Sequence, residues 1–260
     1  MGTLPINSFK RNLGRRQQIG LFSTLASPTL AELLADCGFD WILIDTEHSP
    51  NELPAVIDHL RVLAAAGVAP IVRPAWSDMV QVKRLLDSGA QTLLFPYVQS
   101  AEEAKRAVSF TRYPPHGVRG VSGSSRAAGY GLVPNYLTTA TAELAVVVQI
   151  ETAEALAELE AIAAVDGVDA VFIGPADLAA SLGHLGDTQH PDVQATIDEA
   201  FRRLKRIGKP SGYLTTNEAE AERRIADGVD FVGVGTDTSI ITRAATALTA
   251  KMHAQRTKRA

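Results

Sequence analysis

The segment VDGVDAVFIG, residues 165–174, is one copy of a pattern that recurs along the chain and decides the predicted fold. Related copies read DCGFDWILID at 36–45, AAGVAPIVRP at 65–74, DSGAQTLLFP at 87–96 and ADGVDFVGVG at 226–235. In each copy a glycine ends a predicted helix, because glycine tolerates the left-handed backbone of a helix end. The short apolar run that follows is typical of a strand buried on both faces of a parallel sheet.

Outward from these copies, the same alternation predicts eight strand–helix units. The predicted strands cover 18–24, 41–47, 69–74, 92–98, 144–151, 170–176, 210–215 and 231–236. Ser27 and Ser49, each followed by a proline, are predicted helix caps, and Ser100 with Glu103 has the pattern of a capping box. A long glycine-rich stretch at 111–140 precedes the fifth strand.

Eight such units predict an α/β protein with a closed (β/α)8 TIM barrel. We also expect an N-terminal helix, and a C-terminal helix near 238–253 that packs on or swaps with a neighbouring subunit. The alternative is an open doubly wound sheet, whose first strand usually leads into a glycine-rich phosphate turn. The segment FSTLASPT at 22–29 has no such turn, so the barrel is preferred.

Length and composition limit the possible functions. The 260 residues suit a single barrel domain over 1–260, and a net charge of −4 argues against a basic nucleic-acid binder. No apolar run approaches the roughly 18 residues of a membrane span. The one cysteine, Cys37, excludes an intramolecular disulfide and fits a reducing compartment. We therefore expect a soluble, cytoplasmic protein that acts on small molecules, with no nucleic-acid or membrane partner.

Polar residues follow the predicted strands at the end where barrel enzymes have their active sites. Glu151 and Asp177 follow neighbouring strands, and two carboxylates so placed can hold a hard divalent cation. The alternative is that each caps the next helix, where a negative charge is favourable. Because Gln149, Arg73 and His48 are predicted on the same rim, the metal site is the favoured interpretation.

Arg73 and His48 each have a functional and a structural interpretation. Arg73 could clamp a carboxylate or a developing oxyanion, or could form a structural ion pair with Asp45 or Glu47. His48 could be a general base or a structural histidine. The remaining histidines are predicted to be surface residues: His59, His116, His184, His190 and His253. None of the seven lysines follows a predicted strand, so a Schiff-base aldolase is not expected.

The segments IDTEHSPN, VRP, LLDSGAQTLLFPYV, GVRGV, VVVQIET and VFIGPADLAASLG together resemble the class II, metal-dependent pyruvate aldolases of the HpcH/HpaI (4-hydroxy-2-oxoheptanedioate aldolase) family. The resemblance runs from about Ile19 to the eighth strand. It implies a barrel that binds Mg2+, Mn2+ or Co2+ and forms a homohexamer, a trimer of dimers. It also implies cleavage of 4-hydroxy-2-oxo acids to pyruvate, or a related 2-oxo acid, and an aldehyde through a metal-stabilised enolate.

The resemblance also implies a role for individual residues. Glu151 and Asp177 match the metal ligands, Arg73 matches the residue that stabilises the enolate, and His48 matches the base, with Asp87 as its acidic partner. The other matched positions are implied to contact the substrates: Gln149, Gly174, Ala176, Asp177, Phe22, Leu214 and Arg126.

The predicted positions of Asp87 and Arg126 indicate contacts between subunits. Asp87 precedes a strand whereas His48 follows one, so a contact between them requires a neighbouring subunit, and Arg126 could reach a neighbour in the same way.

The first alternative activity is decarboxylation of oxaloacetate, as in a macrophomate synthase-like enzyme that forms the same enolate. The second is a barrel that only binds a ligand, which would have lost a metal carboxylate or His48.

Overall fold

The computed structural model, which describes residues 2–256, contains a closed barrel of eight parallel strands. Each strand pairs with the next along the chain, and β1 pairs with β8. The strands are β1 Gln18–Ser23, β2 Trp41–Asp45, β3 Ala69–Arg73, β4 Thr92–Phe95, β5 Ala145–Ile150, β6 Ala170–Ile173, β7 Ser211–Leu214 and β8 Phe231–Thr236. The predicted barrel is therefore confirmed.

Helices surround the barrel and close one end of it. They are α1 Ser8–Asn12, α2 Pro28–Ala35, α3 Leu53–Ala66, α4 Met79–Asp87, α5 Ala101–Thr111, α6 Tyr136–Thr139, α7 Ala153–Ala157, α8 Leu159–Ala163, α9 Pro175–Ser181, α10 Pro191–Arg206, α11 Glu218–Ala226 and α12 Asp237–Ala254. Two short 3-10 helices, Arg126–Gly131 and Ala140–Glu143, lie in the long stretch before β5.

The barrel interior is filled mainly by aromatic and branched side chains. Trp41 and Phe231 cross edge-to-face there, and Phe9 of α1 packs onto both from the N-terminal end of the strands. Gly20 leaves the space that Trp41 occupies, because a Cβ on Gly20 would lie 2.0 Å from the indole ring. With Phe9 fully buried, the interior is closed at that end, so a ligand must enter where the strands finish.

Most strands end one to three residues earlier than predicted, so the residues that follow them occupy loops. Ser27 accepts a hydrogen bond from Leu30 N as a cap, as expected. The prediction for Ser49 is wrong: α3 begins at Leu53, and the Ser49 hydroxyl instead donates to the carbonyl of Asp45. Only half of the predicted capping box at Ser100 forms, because Glu103 accepts from Gln99 N rather than from Ser100 N.

The predicted helix-ending glycines all have a left-handed backbone, with φ between 74° and 103°. At Gly89 the absence of a side chain also makes room for a neighbour, since a Cβ would lie 2.5 Å from Arg126 Nη1. Helix α12 extends from the barrel and is exposed from residue 241 onwards. Within residues 2–256 no helix combines the length and the apolar composition needed to cross a membrane.

Candidate active site

The C-terminal ends of β2, β3 and β5 bring an arginine and several carboxylates together at the open mouth of the barrel. Arg73 ends β3 and is buried, with 8% of its surface exposed. Its Nε and Nη2 donate to the two carboxylate oxygens of Asp45, at 2.8 and 2.9 Å. Its Nη1 lies 3.0 Å from Glu47 Oε2, and its guanidinium is 5.4 Å from the centre of the Phe22 ring.

The structural alternative for Arg73, an ion pair with Asp45 or Glu47, is therefore formed. Burial opposes its charge, but the hydrogen bonds and negative charge of Asp45 hold the pKa of Arg73 above its ordinary value. The pair with Asp45 uses one edge of the guanidinium fork, which fixes the direction of Nη1 toward the mouth. Asp45 in this way orients the group that a bound anion would meet.

Glu151 is a deeply buried carboxylate of the mouth, with 2% of its surface exposed. It accepts hydrogen bonds from Tyr97 N, at 2.8 Å, and from the side-chain amide of Gln149. Tyr97 directs its N–H there from a left-handed backbone, with φ of 54°. Burial raises the pKa of Glu151 to about 7, and the nearby charges of Asp177 and Glu47 contribute in the same direction.

Glu47 belongs to the same group of acids. Its N–H donates to Asp45 Oδ1 at 3.0 Å, which forms a tight turn after β2 and places the Glu47 side chain at the mouth. Its buried Oε2 accepts no well-aligned hydrogen bond within residues 2–256. Burial raises the pKa of Glu47 to about 6, against the lowering effect of Arg73. The sequence alone predicts no role for Glu47 beyond an ion pair with Arg73.

The mouth fits a hard divalent cation. Glu151 and Glu47 hold pKa values raised by burial, so a positive charge beside them would stabilise their ionised forms. The backbone of Gly174 leaves room at this point, because a Cβ there would lie 2.5 Å from Glu151 Oε2 and 2.9 Å from Gln149 Nε2. The side-chain amide oxygen of Gln149, Oε1, is buried without a hydrogen-bond partner in the described residues. Oxygen donors of this kind suit Mg2+ or Mn2+.

The segment after β6 supplies the exposed side of the mouth. Gly174 precedes Pro175, the first residue of α9, and Asp177 lies exposed in the first turn. The N–H groups of Ala176 and Asp177 are in that first turn, where a helix supplies no backbone acceptor. They are thus free of partners within the helix.

Phe22 and Leu214 are placed differently from each other. Phe22 is buried in the barrel interior beneath Arg73, where its ring lies 6.0 Å from that of Phe172. Leu214 ends β7 and is partly buried against the same interior cluster. Phe22 therefore supports Arg73 from below, and Leu214 is the more accessible of the two.

His48 lies on the rim, and its predicted acidic partner lies elsewhere. The His48 side chain is 66% exposed, and its Nε2 is 3.8 Å from Glu47 Oε2. Asp87 ends α4 just before β4, at the opposite end of the barrel. Its Oδ1 accepts from Arg119, a buried arginine packed on the ring of Tyr113. Within one chain His48 and Asp87 therefore do not meet, as their positions in the sequence predicted.

Arg126 also lies at the end of the barrel opposite the mouth. Its Nη1 donates to the carbonyl of Ser88 at 2.6 Å, beside Gly89. Burial and the charge of Arg61 hold the pKa of Arg126 below its ordinary value. The predicted place of Arg126 near the substrate pocket is thus not met within one chain. Arg126 instead shares a surface with Asp87.

One histidine prediction is wrong, and the lysine prediction holds for the described residues. His59 is fully buried rather than exposed, since its Nδ1 contacts the carbonyl of Ala55 and its Nε2 lies 3.3 Å from Ser23 Oγ. Burial lowers the pKa of His59.

Six lysines lie within residues 2–256, and none directly follows a strand: Lys10, Lys83, Lys105, Lys205, Lys209 and Lys251. Lys258 lies outside the described residues.

Comparison with known proteins connects this geometry to one group of enzymes. The sequence model of the HpcH/HpaI aldolase/citrate lyase family matches residues 18–244. A pyruvate aldolase of Rhizobium etli is 54% identical over 249 residues, which are 95% of this chain and 98% of that protein. A 4-hydroxy-2-oxo-heptane-1,7-dioate aldolase of Klebsiella pneumoniae subsp. pneumoniae is 53% identical over 247 residues, covering 94% of this chain and 93% of its own.

The similarity extends to a solved structure. A crystal structure of an HpcH/HpaI aldolase/citrate lyase family protein of Burkholderia cenocepacia has a TM-score of 0.91 and 42% sequence identity with this chain. The match covers 95% of this chain and 99% of that one.

Proposed function

The chain belongs to the HpcH/HpaI aldolase/citrate lyase family and is an aldolase, and from its site we propose the substrates, metal and residues of the reaction. The proposed reaction is the reversible cleavage of a 4-hydroxy-2-oxo acid to pyruvate, or a related 2-oxo acid, and an aldehyde. The observation that carries it is the mouth, where Arg73 Nη1 lies 3.0 Å from Glu47 Oε2 and the negative charge of the buried Glu151 also acts on the guanidinium.

Glu151 and Asp177 are the proposed ligands of a divalent ion, with Mg2+, Mn2+ and Co2+ as the candidates. When bound, the ion would supply a Lewis acid for the oxygens of the 2-oxo acid. Gln149 donates to Glu151 through its amide, which orients that carboxylate. The N–H groups of Ala176 and Asp177 are proposed to hold the substrate carboxylate at the start of α9, and Gly174 gives the substrate space.

Arg73 is proposed to stabilise the enolate oxygen that develops when the C3–C4 bond breaks. Its Nη1 is directed into the mouth because Asp45 fixes the opposite edge of the guanidinium. A donor that is already oriented stabilises developing charge without reorganisation during the reaction. Phe22 lies beneath the guanidinium and limits its movement.

His48 is the proposed base that removes the proton from the C4 hydroxyl group. Its exposed position on the rim suits a group that exchanges protons with substrate or water. Glu47 lies between His48 and Arg73, so it is proposed to orient both side chains. Leu214 and Phe22 are proposed to bound the aldehyde side of the pocket.

A neighbouring subunit is proposed to complete each site. Strands of four to six residues, rising about 3.3 Å per residue, separate the two ends of a barrel by roughly 13–20 Å. Asp87 and Arg126 lie together at the end opposite their own mouth, so they can serve only another chain's His48 and aldehyde pocket. The proposed assembly is a homohexamer, and the exposed part of α12 would contribute to its contacts.

A panel of 4-hydroxy-2-oxo acids and aldehydes, assayed with and without added Mg2+, Mn2+ or Co2+, tests the proposal. The expected result is metal-dependent release of pyruvate together with one aldehyde. Oxaloacetate is included, because an enzyme that decarboxylates it can use the same enolate. Faster turnover of oxaloacetate than of every 4-hydroxy-2-oxo acid would replace the proposed reaction with decarboxylation. The cytoplasmic location and the single domain over 1–260 remain predictions.

A further inference from the structure

Two histidines and an aspartate form a cluster in the connection between α9 and α10, and the mechanism above uses none of them. The rings of His184 and His190 are stacked, with centres 3.6 Å apart and planes inclined by 18°. Asp192 Oδ2 lies 4.0 Å from His184 Nε2 and 3.8 Å from His190 Nδ1. Within residues 2–256, this is the one group in which three such ligand atoms lie within 4.8 Å of one another.

The backbone of this connection brings the two histidines together. His184 N donates to the carbonyl of Ala179, and successive turns then join Asp187 N to His184 O and His190 N to Asp187 O. At the far side, Gln189 donates to Glu220 at 2.8 Å, which anchors the connection to α11. The cluster is thus held by backbone hydrogen bonds rather than by a chance meeting of flexible side chains.

We propose that His184, His190 and Asp192 bind a divalent transition metal, with zinc as the best-suited ion. Imidazole nitrogens favour Zn2+ over Mg2+, and two neutral histidines with one carboxylate match the ligands of known zinc sites. All three side chains are accessible to solvent, and no carboxylate other than that of Asp192 lies within ion-pair distance of either histidine in residues 2–256. Water would fill the remaining coordination position.

Zinc binding requires short movements of the ligand atoms and a change in the orientation of the two rings. Ligand atoms bound at about 2.1 Å in a tetrahedron lie about 3.4 Å apart, so both histidine–aspartate separations must shorten by about half an ångström. The lone pairs of two stacked rings run almost parallel, so zinc binding must also open the stack. His190 Nδ1, which now accepts from Asp192 N at 3.3 Å, would exchange that long hydrogen bond for the metal.

The proposed zinc site lies on the same side of the barrel as the mouth. Asp177 lies in α9, seven residues before His184, and α10 starts at the same end of the barrel because it leads back to the start of β7. Zinc would tie residues 182–190 to the first turn of α10. The proposal does not depend on the aldolase reaction, because it uses other residues and another class of ligand atom.

The test is zinc titration by calorimetry in the full-length Glu151→Gln, Asp177→Asn protein, in which the mouth ligands are removed. We expect about one zinc per chain and a rise in melting temperature with zinc. Three further variants remove one ligand each: His184→Phe keeps the ring stack, His190→Asn keeps a helix cap, and Asp192→Asn keeps the side-chain size. Because loss of an outer-shell partner of a metal costs roughly 10–100-fold in affinity, each is expected to weaken binding by at least about 100-fold.

His116→Phe is the matched control, because His116 is exposed and lies outside the cluster. It should bind zinc as its parent does. Cobalt provides an independent readout, since its visible absorption spectrum should indicate nitrogen ligands in the parent and lose that signature in His184→Phe. The proposal is wrong if the parent binds no zinc, or if His184→Phe and His190→Asn bind it with unchanged affinity.

Discussion

Replacing Arg73 by lysine separates a catalytic guanidinium from a merely structural positive charge. The structure gives Arg73 two charged hydrogen bonds to Asp45, at 2.8 and 2.9 Å, and a third nitrogen directed at the mouth. A lysine ammonium is a point charge on a flexible stem and cannot reproduce both edges of the planar group. If it keeps one bond to Asp45, the mouth loses its oriented donor.

The expected magnitudes follow from those contacts. Loss of one charged hydrogen bond costs about 1.5–3 kcal/mol in the free energy of unfolding. Loss of one oriented donor to a developing oxyanion lowers kcat by about 10²–10³, which corresponds to about 2.7–4 kcal/mol. Arg73→Lys should therefore stay folded but lose most of its turnover.

Two assays locate the effect. One measures kcat for cleavage of the best 4-hydroxy-2-oxo acid, and the other follows exchange of the pyruvate C3 protons with deuterium by NMR. The exchange requires only enolate formation, so both rates should fall together in Arg73→Lys. Loss of cleavage with normal exchange would place the role of Arg73 at the aldehyde rather than at the enolate.

Arg224→Lys is the matched control for general destabilisation. Arg224 is buried like Arg73 and also pairs with carboxylates, but it belongs to α11, where it packs on the rings of Phe201 and Tyr213. It should lose stability without losing kcat. If Arg73→Lys folds and turns over close to the wild-type rate, the enolate role of Arg73 is refuted.

Three other outcomes are expected. Chelation of the metal should abolish cleavage, and added Mn2+, Co2+ or Mg2+ should restore it. Treatment with borohydride and pyruvate should leave the protein unmodified, as checked by mass spectrometry. A lysine trapped by this treatment would contradict metal-dependent chemistry. In metal-free protein, the folded state holds the proton of Glu151 more tightly than the unfolded state does, because the pKa of Glu151 is raised to about 7. The protonated carboxyl therefore adds to the free energy of unfolding at low pH, and this contribution should be lost as the pH rises from about 4.5 to about 7. Denaturant titrations should show that fall in the wild type relative to Glu151→Gln, and identical pH profiles would exclude it. Finally, mixing inactive His48→Ala with inactive Asp87→Ala subunits should restore part of the activity, whereas a fully active monomer would refute sites shared between subunits.

The barrel could be predicted because its signals are local. A glycine at a helix end and a short apolar run after it depend on neighbouring residues, and five copies were enough to indicate the repeating unit. The residues around the mouth followed from the rule that barrel sites lie where strands end. That rule is sufficient to place Arg73, Glu151 and Gln149 at the mouth.

The features that were missed depend on contacts between distant segments. His59 looks like a surface residue because its helix carries other polar groups, but the end of β1 supplies Ser23 to its ring. Ser49 has the sequence of a cap, yet its hydroxyl donates to the carbonyl of Asp45 in the turn after β2. The same turn brings Glu47 to Arg73, and the DTEH segment at 45–48 was the available signal for it.

The position of an acid on the rim does not show whether its role is structural or functional. The hydrogen-bonding capacity that the carboxylate has left unused distinguishes the two. Asp237 follows β8 just as Glu151 follows β5, but its carboxylate accepts from Thr24 N, Leu25 N and the Thr24 hydroxyl, among other donors. Such an acid holds two loops together and has little capacity left for a ligand. Within residues 2–256, Glu47 Oε2 is buried with no well-aligned donor, and Glu151 keeps its raised pKa despite two donors. The remaining negative charge of these two acids is what a cation would neutralise, so we expect the proposed metal beside them and not beside Asp237.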